Sequence, residues 1–255
     1  SGDIEMAYSS GTTADLLKKV DNGLGGVGEL TYLPSTRMAN DFLPMVMPVV
    51  TETRASNGMG ETNATSYIYS KGLYDSGTKE FRGFGHVEVR DFEQTSCVTD
   101  FHQDYAKKGR VYRTAVYDVA GNQWSREERT YSSTVPYAGL NAYFTRLDEV
   151  NSFLYDGDLT YKQTRTRHTY DAYGNLTGSY VDGDVGVTGD EKATITTYNV
   201  NPTLWILNTA NTVRTYDAGG AVVAQLLTSY DGAADYNTPP TKATWRWCVT
   251  TSQPL

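Results

Sequence analysis

The sequence predicts an all-β protein of long, twisted antiparallel hairpins, arranged as a curved sheet or an open section of one. Three observations point there. The 255 residues include 20 Tyr and 34 Thr, residue types that favour a pleated, half-buried surface. Apolar residues rarely recur at the three-to-four spacing of a helix over windows of about 11 residues. And one turn phrase recurs between strand-like runs: Tyr117-Asp118-Val119-Ala120-Gly121-Asn122, Tyr170-Asp171-Ala172-Tyr173-Gly174-Asn175 and Tyr216-Asp217-Ala218-Gly219-Gly220.

Taken in order, Ala14 to Val20 is the best helix candidate, with Thr13 as its N-cap. It is two turns long and runs into Asn22-Gly23-Leu24-Gly25-Gly26, so strand–turn–strand is the better reading, Leu16 to Val20 followed by Gly28 to Leu33. Phe42 to Val50 is the most apolar stretch, broken by Pro44 and Pro48 and far short of a membrane-spanning helix. Strands are expected at Thr65 to Ser70, His86 to Asp91, Gly109 to Tyr117, Thr160 to Tyr170, Leu176 to Val181, Ala193 to Tyr198, Asn211 to Tyr216, Ala221 to Tyr230 and Ala243 to Thr250. Alternation is clearest where Thr164, Thr166, His168 and Tyr170 share one face and Arg165, Arg167 and Thr169 the solvent face. One face of the sheet is expected to be aromatic and Thr-rich, the other charged.

The turn phrase explains itself. Tyr closes a strand and packs its ring. Asp opens the turn, its carboxylate accepting backbone N–H groups two or three residues on. Gly takes the left-handed position, and the chain returns as the next strand. Shorter versions occur at Tyr74-Asp75-Ser76-Gly77, Tyr155-Asp156-Gly157 and Tyr230-Asp231-Gly232. Their spacing is irregular, which excludes a propeller with blades of fixed length.

These phrases resemble those of the bacterial YD-repeat (Rhs) family. More narrowly, the chain is similar to the opening of the repeat region in the insecticidal toxin-complex B component and related virulence proteins. Further stretches carry the resemblance in order: Asp15-Leu16-Leu17 with Asn22-Gly23-Leu24-Gly25 and Thr31-Tyr32; Gly72-Leu73-Tyr74-Asp75; Glu80-Phe81-Arg82-Gly83-Phe84-Gly85; Phe101-His102-Gln103-Asp104; and Asp182-Gly183-Asp184 with Gly189-Asp190. The resemblance implies a secreted, extracellular scaffold. Its YD-repeat strands would form part of a β shell that encloses and protects a toxic polypeptide. Partners would then be the remainder of the parent shell and its cargo, with self-association possible through sheet edges. Self-cleavage residues and a variable toxin, which family members carry downstream, have no counterpart here. His86 stands where the family commonly has Arg, and Trp245-Arg246-Trp247-Cys248 fits no family motif.

Residues 1–14 are expected to be a tail or tag remnant, since Ser1-Gly2 has the form of a cloning scar, and Ser1-Gly2-Asp3 shows neither a charged n-region nor an apolar h-region. Residues 15–255 are read as one YD-repeat β domain.

Other chemistries fit the sequence less well. A net charge of −8 disfavours nucleic acid as a partner. His102 and Asp104 share a strand face, as a base and its orienter would, but no G-x-S-x-G nucleophile motif accompanies them. Asp182, Asp184, Asp190 and Glu191, like Asp156 and Asp158, read as turn aspartates, because Gly186 and Ala193 occupy positions where a calcium loop needs oxygen ligands. Gly23 to Gly28 lacks the Lys-Ser/Thr ending of a phosphate loop. Cys97 and Cys248 have no zinc spacing and read as separate thiols. The aromatic set Phe81, Phe84, Tyr112, Tyr117, Trp124, Tyr170, Tyr198, Trp205, Tyr216, Trp245 and Trp247 reads as strand packing, with a carbohydrate- or receptor-binding module as the alternative and a hydrolase as the second. No catalytic, cofactor or metal residue is expected. The site residues are structural: Tyr117, Asp118, Gly121, Tyr170, Asp171, Gly174, Asn175, Tyr216, Asp217 and Gly220 at the turns, and Phe81, Arg82, Gly83, Phe84 and Gly85 in the wall.

Overall fold

The computed structural model describes residues 15–135, 139, 142–157 and 159–241. Their regular structure is β, apart from two single 3-10 turns at Ser35–Arg37 and Pro202–Leu204. The chain divides into two compact units between Gln103 and Asp104.

The first unit holds β1 (Lys19–Asp21), β2 (Val27–Pro34), β3 (Ala39–Phe42), β4 (Pro48–Ser56), β5 (Thr62–Asp75), β6 (Glu80–Arg90) and β7 (Ser96–Phe101). Its sheet order is β1-β2-β4-β5-β6-β7, each strand antiparallel to its neighbour. The strand–turn–strand reading of the start holds, but β1 begins at Lys19 rather than Leu16. The Leu17 carbonyl is taken instead by the Tyr32 hydroxyl at 2.9 Å. The prolines bound the next strands: β3 stops before Pro44, and β4 starts at Pro48.

One strand breaks the antiparallel expectation. β3 lies parallel to β5, with Ala39 opposite Ser70 and Phe42 opposite Leu73. β4 pairs only with Thr62 to Ser66, so the far half of that edge of β5 is open to β3.

The second unit is a meander of β8 (Val111–Tyr117), β9 (Gln123–Thr134), β10 (Phe144–Tyr155), β11 (Tyr161–Tyr170), β12 (Leu176–Asp182), β13 (Lys192–Asn201), β14 (Ile206–Tyr216) and β15 (Val222–Leu227), in which each strand from β9 on pairs antiparallel with the one before. The expected strand from Ala243 to Thr250 lies outside the described residues.

The expected split into an aromatic face and a charged face fails in β9. Arg126 faces Glu128 on one side of that strand, and Glu127 pairs with Arg129 on the other. Both faces stay partly wet, so both carry ion pairs. Among the described residues, buried apolar side chains are few: Ala115, Phe153, Ile206 and Tyr230. More of the buried residues are polar. Cohesion therefore comes mainly from backbone ladders and cross-strand pairs. Arg126 illustrates this, opposite buried Ala115 and with its guanidinium 4.2 Å above the Phe153 ring.

After β15 the chain doubles back. The expected strand to Tyr230 ends at Leu227. Tyr230-Asp231-Gly232 then turns tightly, with Asp231 and Gly232 both at positive φ and Ala233 N–H donating to Tyr230 O at 3.0 Å. Residues 236–240 are held over β13 by side chains. Asn199 Nδ2 donates to the carbonyls of Tyr236 and Thr238, and Asn201 Nδ2 to that of Pro240 at 2.9 Å. Asn199 and Asn201 share a strand face, and residues 236, 238 and 240 alternate in step with them. Side-chain amides thus imitate a ladder.

Candidate structural site: turns, bulges and the FRGFG strand

Three Tyr-Asp phrases build one turn. At Asp118 the backbone N–H donates to Asn122 O (2.9 Å), and Gly121 N–H donates to Asp118 O (3.0 Å). The Asp118 carboxylate accepts Asn122 N–H at 2.8 Å and Asn122 Nδ2 at 2.9 Å. Gly121 sits at φ +84°. Asp171 repeats every bond with Gly174 and Asn175, and Asp217 repeats the backbone bonds with Gly220 and Ala221, where no second amide exists. The pattern is a type I turn closed by a left-handed glycine. The ladder slips by one residue beside each turn, so Trp124, Thr177 and Val223 are left as bulge residues. The Asn122 amide and N–H hold the Asp118 carboxyl below the ordinary carboxylate range.

A fourth copy carries neither Tyr nor Gly. Asp91 N–H donates to Thr95 O, Gln94 N–H to Asp91 O, and Asp91 Oδ1 accepts Thr95 N–H at 2.9 Å, with Gln94 at φ +66°. Only the aspartate signals it in the sequence.

The bulges have a second partner set. A bulge pulls a carbonyl out of ladder alignment, and a tyrosine hydroxyl from a later segment takes it up. Tyr170 Oη donates to Leu147 O (2.8 Å), Tyr198 to Leu176 O (3.0 Å) and Tyr230 to Ala210 O (2.8 Å). Each acceptor precedes the bulge residue, Asp148, Thr177 or Asn211. Tyr131 Oη makes the same reach to Val111 O (3.0 Å). Burial pushes the Tyr170, Tyr198 and Tyr230 hydroxyls to higher pKa. A sequence search for Tyr followed by Asp finds Tyr170 and Tyr230 but misses Tyr131 and Tyr198.

The FRGFG stretch lies at the start of β6. Arg82 is buried; its Nη2 donates to Asp75 Oδ2 (2.9 Å) and Thr78 Oγ1 (3.0 Å), and its Nε lies 3.4 Å from Glu80. The Thr78 N–H and then the Arg82 charge hold Asp75 below the ordinary carboxylate range. Gly83 adopts φ +82° where β6 bulges against β5. Phe84 lies tilted against Tyr69 (5.1 Å) and meets Phe81 edge-on (5.8 Å). A Cβ on Gly85 would fall 2.6 Å from Gln103 Oε1, and Gln103 Nε2 ties the carbonyls of Lys71 and Gly83 together.

Two tips of the first unit share one design. Asn22 Oδ1 accepts the N–H of Leu24 and Gly26; Asn57 Oδ1 accepts those of Met59 and Glu61. Gly25 and Gly58 bring the tips together, since a Cβ on Gly58 would fall 2.4 Å from the Gly25 carbonyl.

Several residues that could serve other chemistry are held in structural contacts. Asp104 Oδ1 accepts the N–H of Ala106 and Lys107. His86 pairs across the ladder with Asp100 at 2.7 Å, which no motif announced. Burial works to raise the Asp182 pKa, but bonds from Arg167 and Arg165 outweigh it and hold the carboxyl low. Asp184, Asp190 and Glu191 accept loop N–H groups. Among the described residues no three His, Cys, Asp or Glu side chains converge. Cys97 is a free thiol, and Cys248, Trp245, Trp247 and Asp158 lie outside the described residues.

Residues 1–114 match the family model described as the insecticide toxin TcdB middle/N-terminal region. No curated protein matches the chain. Solved structures match over 89% of its length. They include TcdB2-TccC3 (TM-score 0.73, 13% identity), TcdB2-TccC3-TEV (0.72, 14%) and the Photorhabdus luminescens Tc holotoxin pore with a TccC3 mutation (0.72, 14%). The chain spans only 17–18% of the length of those chains. In sequence over its first 114 residues, and in fold over nearly all of its length, the chain is similar to the toxin-complex B component.

Proposed function

We propose that this chain is a non-enzymatic stretch of wall in a YD-repeat shell that encloses and protects a toxin polypeptide. Its mechanism is confinement: hydrogen-bonded strands, joined by self-capped turns, separate the cargo from solvent and proteases. The observation that carries the reading is the fold match, in which the chain resembles a short part of much longer TcdB2-TccC3 chains. The repeated turn supports it, because a wall is lengthened by adding hairpins of one kind. Turn residues such as Asp118, Gly121, Asp171, Gly174, Asp217 and Gly220, and the buried Arg82 knot, hold the hairpins in register. In this reading the partners are the rest of the shell and its cargo, and the assembly is secreted.

The test uses the complete parent polypeptide with its cargo. Intact, the cargo should resist a protease that digests it when free. Gly174→Val should expose it. Equal digestion of free and enclosed cargo would refute confinement.

A further inference from the structure

A cleft of about 560 Å3 opens between the β8–β9 turn and the β10–β11 turn. Asn122, Gln123 and Arg126 line it together with Tyr155, Leu159 and Tyr161. Its size falls within the range of small-molecule sites.

The lining combines stacking surfaces with polar donors. The Tyr155 and Tyr161 ring centroids are 5.4 Å apart, and Phe153 meets Tyr161 edge-on at 5.2 Å. Tyr161 is half exposed and Leu159 almost fully so. Gln123 Nε2 is buried and has no hydrogen-bond partner. Arg126 Nε lies 3.2 Å from Glu128 yet is not aligned to donate to it. Asn122 is oriented by its own turn, since Nδ2 donates to Asp118 and so directs Oδ1 away. Buried donors without partners are rare in folded proteins, and a ligand is one of the things that completes them.

We propose that this cleft binds a neutral saccharide of two or three units. The C–H faces of a sugar ring would lie on Tyr155 and Tyr161. Its hydroxyls would accept from Gln123 and Arg126 and donate to Asn122. Planar amides and a guanidinium suit the hydroxyl oxygens of a sugar. The proposal does not depend on the shell reading.

Trp124 supplies a reporter. It is exposed beside Gln123, and its indole Nε1 lies 3.4 Å from Asp118 on the same turn. The purified 255-residue chain would be titrated with diacetylchitobiose, lactose and maltose, followed by saturation-transfer NMR and indole emission. One of these should bind with a dissociation constant of about 1 mM or tighter. Tyr161→Ala should weaken it at least tenfold and Tyr161→Phe should not. Gln123→Ala, a milder change, should weaken it severalfold and covers the case in which Tyr161→Ala fails to fold. Absence of saturation by all three sugars would overturn the proposal. So would sugar binding untouched by Gln123→Ala and Tyr161→Ala, or saturable binding of the peptide Gly-Tyr-Gly in place of every sugar.

Discussion

Glycine 174 is required twice over. Its φ of +89° lies in the left-handed region, and a Cβ there would also fall 2.2 Å from the Phe144 ring. Gly121 and Gly220 share the backbone strain but face open space. Gly121→Ala should therefore cost about 1 kcal/mol, from left-handed strain alone. Gly174→Ala should cost about 2–4 kcal/mol, because overpacking adds to it. Equal losses in urea melts would show that Phe144 moves freely. Gln94 is the converse case, a side chain at φ +66° in the same kind of turn. Gln94→Gly should raise stability by about 0.5–1 kcal/mol, the relief of strain exceeding the added freedom of the unfolded chain. The aspartate–glycine pairs were legible because each residue is the best local answer to a turn. Gln94 was not, because the surrounding ladder imposes its conformation. Acid should act on these same turns. Asp75, Asp118 and Asp182 have depressed folded pKa values, so their contribution is present above the unfolded carboxylate range of about 4 and is lost as pH falls below it through the folded values. The urea midpoint should fall with acidification below about pH 4, and less steeply in Asp118→Asn.

At the scale of elements, hairpin order could be read from the phrases, while two features could not. The parallel β3 depends on a vacancy along β5 that only the lengths of β4 and β5 create. The link between bulges and tyrosines depends on register, which no single strand reveals. Tyr170→Phe keeps the ring and removes the donor to Leu147. It should cost about 1–2 kcal/mol, the range for leaving a carbonyl unsatisfied. A phenylalanine variant as stable as the parent would mean that water replaces the hydroxyl. The asparagine ladder over β13 makes a separate prediction. Asn199→Ala with Asn201→Ala should release residues 236–240, raising hydrogen exchange in that stretch and in β13 but not in β9. Unchanged exchange would show that the segment is held by other contacts.

For the molecule as a whole, sheet edges matter most. β1 is three residues long and exposed, begins at Lys19 and follows Lys18, as a guarded edge should. β15 reads Val-Val-Ala-Gln-Leu-Leu, has one ladder partner among the described residues, and exposes Val222, Val223 and Leu226. Self-association should therefore run through β15. Val223→Lys should shift sedimentation toward the monomer at micromolar concentration, whereas Lys19→Val should have the smaller effect. Dimers indifferent to Val223→Lys would place the contact elsewhere. Composition and turn grammar disclosed the all-β class. They could not disclose how little apolar surface is enclosed, because half-wet strands on both faces read, residue by residue, like strands over a core.

The hydroxyl-to-carbonyl reaches also bear on how this protein would respond to force. Those made by Tyr131, Tyr170, Tyr198 and Tyr230 each bridge 20 to 23 residues. A ribbon peeled from one end would meet them one at a time, each rupture paying out about 70 Å of slack. Such a chain yields in steps rather than at once, as a row of snap fasteners does, and stays closed ahead of the tear.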